Sequence, residues 1–270
     1  MTISSGPPLK SQRRGKFYLN TGAFMESKTE RYSTLVRSRK ACNRCAAIGL
    51  RNPVSIRGGA FDSDEIGPWT CWNGDLDARI LIVGQEWGDV DSFERQKGRD
   101  DPSGTNRMLR ELLAFAGFDI GPAPIKVPAS GVYLTNAALC LKSGGVQAPV
   151  KDEWVKNCGV SFLRAQVEIV NPRVVVALGQ QAYRALCYAF GIPHGSFRDI
   201  VNRHEPIPLP TGASLVPVYH CGQRILNTHR RRDEQFEDWK LVKSIAEFGN
   251  RGKWPFRGLR HKQLTFPRLR

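Results

Sequence analysis

Residues 78–89 read ARILIVGQEWGD, a run of aliphatic and β-branched side chains that breaks at Gly84 into a short loop carrying Gln85 and Glu86. A run of that length, closed by glycine, predicts a buried strand that opens into a loop at its C-terminal end. The same pattern returns in GVYLTN (131–136), RVVVALG (173–179) and SLVPVYH (214–220). Between these runs the spacing is helical. NRMLRELLAFAG (106–117) gathers Met108, Leu109, Leu112, Leu113 and Phe115 broadly on one face, and VKNCGVSFLRAQVEIV (155–170) and QQAYRALCYAFG (180–191) behave alike. A last amphipathic helix is expected from about Asp233 to Phe248, with Phe236, Trp239, Leu241 or Val242, and Ile245 toward the sheet. Strands alternating with helices predict an α/β fold: a three-layer α/β/α domain around a central four-stranded parallel sheet.

In such a sheet the C-terminal strand ends share one edge, where ligand-binding loops collect. Here one strand runs into Gly84-Gln85-Glu86-Trp87-Gly88-Asp89, a second ends at Asn136 and a third at His220. A carboxylate, an amide and an imidazole delivered to one edge form a constellation for recognising and cleaving a polar ligand.

The chain has 270 residues, with 40 Lys/Arg against 25 Asp/Glu, a net charge of +15. Residues 1–40 carry +7 and residues 250–270 another +7, which leaves the body nearly neutral. The expected organisation is a basic flexible arm (1–40), one domain (41–249) and a basic C-terminal tail (250–270). Two basic arms on a neutral body point to a polyanion partner, because Lys and Arg release counterions from phosphates. His229 with Arg230, Arg231 and Arg232 extends that basic character into the body. No apolar run approaches the roughly 18 residues of a membrane span, and the N-terminus lacks a secretory h-region. A cytoplasmic protein that does not engage membranes is expected.

Seven cysteines in a reducing compartment favour metal ligation over disulfides. Cys42 and Cys45 form a C-x2-C pair in a Cys-, Gly-, Pro- and Trp-rich stretch with no core of its own, Cys140 follows Asn136, and Cys158 lies on the next helix. Four thiolates suit zinc or an iron-sulfur cluster, and spacing does not choose between them. Cys71 is a spare, and Cys187 reads as a small buried apolar residue.

Taken in order, these motifs resemble the uracil-DNA glycosylase superfamily, most of all its iron-sulfur branch, family 4. The likeness spans about Cys42 to Phe248 and rests on C-x2-C, the G-[QE]-x-x-G loop (Gly84 to Gly88), PSGTNRMLRELL, T-N with a following cysteine (Thr135, Asn136, Cys140), Cys158, NPRVVVALG and the strand-end histidine. The resemblance implies that Cys42, Cys45, Cys140 and Cys158 ligate a [4Fe-4S] cluster, with zinc the less favoured occupant. It implies that Glu86 orients or deprotonates the attacking water, that His220 donates to the base O2, and that Asn136 reads the O4 and N3 edge of a flipped base. Gly84, Gln85 and Trp87 complete the substrate loop. Where the family has Pro-Ser or Pro-Ala after the histidine, this chain has Cys221-Gly222-Gln223, so Gln223, Arg224, Arg230 and Arg231 are the expected DNA contacts, with Ile225 and Leu226 as a wedge. Trp87 stands where proline is usual, and Phe93 or Trp87 replaces the missing aromatic that stacks on the base. The expected activity is hydrolysis of the N-glycosidic bond of uracil or a related damaged base in single- or double-stranded DNA, initiating base excision repair near the nucleoid. Two rivals stand beside it: a non-catalytic nucleic-acid-binding module, and a hydrolase of another nucleobase or nucleotide substrate.

Overall fold

The computed structural model describes residues 26–72, 74–99, 104–121, 130–145 and 147–249. The helices are α1 (Lys28–Lys40), α2 (Pro68–Trp72), α3 (Val90–Gln96), α4 (Gly104–Phe115), α5 (Asp152–Cys158), α6 (Arg164–Val170), α7 (Gln180–Phe190), α8 (Phe197–Asn202), α9 (Gln223–Thr228) and α10 (Arg232–Phe248). The strands are β1 (Leu50–Arg51), β2 (Ile80–Gly84), β3 (Val132–Asn136), β4 (Leu141–Lys142), β5 (Val174–Leu178), β6 (Ile207–Pro208) and β7 (Ser214–Val218).

The four expected strands are present and pair in parallel in the order β3-β2-β5-β7. The sheet has a fifth member, however: β6 pairs antiparallel with β7 through Ile207↔Leu215 and Pro208↔Ser214, so the sheet is mixed. Proline lacks the N–H of a ladder donor and is tolerated on such an edge. Successive side chains of a strand point to opposite faces, and the core divides accordingly. Leu81, Val83, Tyr133, Val175, Ala177 and Leu215 pack with Val155, Val167, Ala182 and Leu186 on one side. Ile80, Ile82, Leu134, Val176 and Val216 pack with Leu109, Leu112, Leu113, Trp239 and Val242 on the other. The three layers are therefore as expected.

The expected boundary at residue 40 needs correction. Residues 28–40 are not an arm but the helix α1, which starts in a capping box between Ser27 and Glu30 and buries Tyr32, Val36 and Arg39. Arg39 is 1% exposed and donates both to Asp62, at 2.8 and 3.0 Å, and to the Glu65 carbonyl at 2.8 Å. The rest of the expected arm (1–25) and the tail (250–270) lie outside the described residues.

The long helix expected over 155–170 runs from α5 to α6 through a π-helical turn, Gly159–Leu163. Gly159 fits there because a Cβ would stand 2.5 Å from the Ala185 carbonyl oxygen of α7. A second, two-stranded sheet pairs β1 with β4 antiparallel and ties the cysteine-bearing N-terminal segment to the chain after β3.

Candidate active site

Gly84 and Asn136 are register partners at the ends of β2 and β3, and the ladder runs on beyond them. The Ala137, Ala138 and Lys142 amides donate to the Gly84, Gln85 and Gly88 carbonyls at 2.8, 3.0 and 3.0 Å. The loop after β2 is thus fixed by backbone hydrogen bonds rather than left to its side chains. Asp89 ends it as the N-cap of α3, accepting from the Ser92 amide at 2.6 Å.

Glu86 sits on this loop with its side chain 11% exposed. Its Oε1 accepts from Lys142 Nζ at 2.9 Å, and Lys142 is itself 2% exposed. Among the described residues Oε2 makes no hydrogen bond. Asn136 is 2% exposed, and its Oδ1 is a buried acceptor without a partner among the described residues.

His220 follows β7, two strand positions from β2. A strand spacing of about 4.8 Å puts those two ends about 10 Å apart, with β5 ending between them. β5 closes on Gly179, whose φ of 98° favours glycine and whose missing Cβ would approach the His220 Cβ to 3.3 Å. His220 Nδ1 accepts from the Gly222 amide at 3.0 Å. An imidazole that accepts at Nδ1 carries its proton on Nε2. Burial lowers the His220 pKa below its ordinary value and outweighs the opposing field of Glu86, which keeps the ring neutral with Nε2–H as its donor.

The two aromatic candidates separate. Trp87 is half-buried, and its ring meets Phe93 edge to face at 4.7 Å. Phe93 is 1% exposed, closed in by Trp87 and Phe61, so the expectation that it offers a stacking face is corrected. Of this pair, Trp87 is the one that keeps some exposure among the described residues.

The basic residues divide as well. Gln223, Arg224 and Arg231 are exposed, and Gln223 and Arg231 share with Arg107 a groove of about 460 Å³ between α4, α9 and α10. Arg230 is turned inward instead. It donates to Asp238 Oδ2 at 2.9 Å and lies over the Tyr219 ring, because the buried Asp238 carboxylate requires a cation. Arg230 is corrected from a phosphate contact to an internal ion pair. The expected wedge residues Ile225 and Leu226 lie on the short helix α9 and are half-buried.

Cys42, Cys45, Cys140 and Cys158 line one cavity of about 310 Å³ together with Arg39 and Asn43. Among the described residues no three His, Cys, Asp or Glu side chains converge on a point that would hold a single ion. Burial pushes Cys158 up to about 12 and raises Cys45 and Cys140, and neighbouring thiols of the set add to each of these shifts. Arg39 lines this cavity, and its Nε is a buried donor without a partner among the described residues. The four thiols and the orphaned N–H suit a group bound by thiolates.

The uracil-DNA glycosylase superfamily model matches residues 71–242, which hold all five strands of the main sheet and every strand-end residue above. The chain belongs to the uracil-DNA glycosylase superfamily. It is 29% identical over 235 residues to a type-5 uracil-DNA glycosylase of Pyrobaculum aerophilum, covering 81% of this chain and 94% of that one. It is 30% identical to a type-4 uracil-DNA glycosylase of Thermotoga maritima (64% of this chain, 81% of that one) and 30% identical to a type-5 enzyme of Thermus thermophilus (74% and 91%). Relatives of both types match, so the superfamily expected from the motifs holds and includes family 4.

Within this superfamily member, sequence reading finds Glu86, Asn136 and His220 at strand ends but misses Lys142. A lone lysine in AALCLKS carries no periodic signal, and only the tertiary structure shows that it is buried against Glu86.

Proposed function

We propose that this protein is a hydrolytic DNA N-glycosylase that removes uracil or a related damaged base from single- or double-stranded DNA, the first step of base excision repair. The observation that carries the reading is the pairing of His220, neutral with its proton on Nε2, with Glu86 two strands away. Relatives named as type-4 and type-5 uracil-DNA glycosylases support it. DNA as partner implies action at the nucleoid. Among the described residues no helix is long and apolar enough to cross a membrane.

Breaking the C1′–N1 bond leaves positive charge on the sugar and negative charge on the departing base. Glu86 Oε2 would hold a water below C1′, oppose the oxocarbenium charge and take the water's proton as the new C1′–O bond forms. His220 Nε2–H would donate to the base O2, where the anion develops. Donors placed at developing charge act strongly in a water-poor site. Asn136 would accept from N3–H through its unpartnered Oδ1 and donate to O4 through Nδ2, a pattern that cytosine reverses. Trp87 offers the stacking face.

Cys42, Cys45, Cys140 and Cys158 would hold a [4Fe-4S] cluster. When bound it supplies a covalent staple between the segment before β1, the β3–β4 link and α5. Gln223, Arg224 and Arg231 would meet phosphates beside the site, and the basic residues of 1–25 and 250–270 would add sequence-independent affinity.

The test is release of base from single- and double-stranded oligonucleotides, each carrying one uracil, xanthine, hypoxanthine or hydroxymethyluracil, by the wild-type protein and E86Q. Uracil release lost in E86Q with DNA binding retained supports the reading. Binding without release of any base replaces it with the nucleic-acid-binding module, and turnover of free nucleosides alone replaces it with a different hydrolase.

A further inference from the structure

Lys142 is a buried cation that the glycosylase chemistry above does not use. Its ammonium donates to Glu86 Oε1 and to the Ala148 carbonyl, both at 2.9 Å, and the side chain is 2% exposed. Burying an ammonium is costly unless it is paired and hydrogen-bonded. An apolar side chain would avoid that cost, so the charge itself is what the site uses.

The backbone of Lys142 joins two regions. On one side its amide donates to the Gly88 carbonyl at 3.0 Å and it bridges to Asp89, so it is laced to the loop that carries Glu86. On the other it pairs with Leu50 of β1, whose amide donates to the Cys45 carbonyl at 3.0 Å. Cys140 lies only two residues before it. Lys142 therefore links the cysteine-bearing segment to the carboxylate loop.

We infer that Lys142 is a positioning residue: its ammonium holds one oxygen of Glu86 and leaves the other free for the reacting water, while the cysteine cage holds Lys142 in register. The purpose assigned to the pair rests on the glycosylase reading; the pair itself does not. Glu86 Oε1 is occupied and Oε2 is free, which is the arrangement a single water-orienting oxygen requires. A rigid second contact of this kind raises the rate of the chemical step rather than the affinity for substrate.

The experiment is single-turnover base release by the full-length protein, with wild type, K142M, E86Q and the double variant compared at saturating enzyme. K142M, which keeps the aliphatic stem without the charge, is expected to slow release about 10²-fold, as loss of a well-placed electrostatic contact does. Its affinity for DNA should stay within about threefold. Because Lys142 acts through Glu86, the double variant should be no slower than E86Q; a merely structural lysine would give additive losses. K142R, which keeps the charge, should recover about tenfold of the loss and guards against a K142M that folds poorly. Glutamate labelled with ¹³C at the side-chain carboxyl supplies a readout independent of turnover: the resonance lost in E86Q should move in K142M and K142R. Full activity in K142M, additive losses, or an unmoved resonance overturns the inference. Silence of the wild type on every base would sink the glycosylase reading alone, and the resonance would still decide the pair.

Discussion

Gly84 has room for a hydrogen and nothing larger. A Cβ would stand 2.5 Å from Asn136 Oδ1 and 2.6 Å from the Trp69 ring, so G84A must push the base-reading amide or the indole aside. Overpacking of this kind costs about 1–3 kcal/mol, to be read as a lower urea midpoint, and base release should fall more than DNA binding does; an unchanged midpoint and rate would show that the site gives way freely. His220 yields a prediction with a sign. Burial lowers its folded pKa, so as pH falls through about 6.5 the unfolded imidazole takes up a proton that the folded one refuses. The unfolded state then binds more protons, and stability drops across that window; above it the group contributes no slope. H220Q should therefore lose less stability than wild type between about pH 8 and 5.5 in paired urea titrations, and its base release should fall about 10²-fold. A steeper acid loss in H220Q would mean that the ring is charged in the folded state. Glu86, Asn136 and His220 are legible in the sequence because each follows a β-branched run that marks a strand end. Their tuning is not, since it comes from Lys142, which only tertiary register brings near, from the burial of His220, and from a local turn that sets the Gly222 amide on His220 Nδ1.

At the level of elements the contrast lies between strands that announce themselves and a helix that does not. β2, β3, β5 and β7 are continuous apolar runs because both of their faces are covered. β1, β4 and β6 are two residues each, shorter than any period, and exist only through their partners. α1 is hidden for another reason: its docking is polar. Tyr32 donates to Glu65 at 2.6 Å and accepts from the Ile66 amide at 3.0 Å, Lys28 pairs with Asp77 at 2.8 Å, and Arg39 fills the Asp62 site. No apolar stripe marks such a helix, and the one local sign is Ser27-x-x-Glu30, a capping box. Deleting residues 1–40 should accordingly do more than remove charge. It strips Arg39 from Asp62, which is 6% exposed, and breaking a buried pair costs about 3–5 kcal/mol, or about 10 °C in melting temperature for a chain of this size. Deleting 1–25 leaves α1 whole and should melt with the full-length protein; equal melting of both truncations would demote α1 to a surface ornament.

Across the whole molecule, the sheet edge that carries the chemistry and the charge that gathers DNA are separate in the chain. Residues 1–25 hold Lys10, Arg13, Arg14 and Lys16 with no acid, and 250–270 hold seven Lys/Arg with none, whereas α1 spends Lys28, Arg39 and Lys40 on Asp77, Asp62 and Asp64. Only cations free to displace counterions steepen the dependence of binding on salt, by about 0.9 in the log–log slope for each phosphate neutralised. Removing residues 1–25 should therefore flatten that slope by at most about 4, and removing 250–270 by at most about 6. The single-turnover rate at saturating enzyme should not change in either case, since the strand-end constellation is built from the ends of β2, β3 and β7. The slope that survives both deletions belongs to the folded body, where Arg107 and Arg231 share the groove with Gln223. R231E in the doubly truncated protein should take away about one further unit. If the slope instead stays at its full-length value after both deletions, DNA is held by the groove alone. The +15 would then act on solubility rather than on recognition.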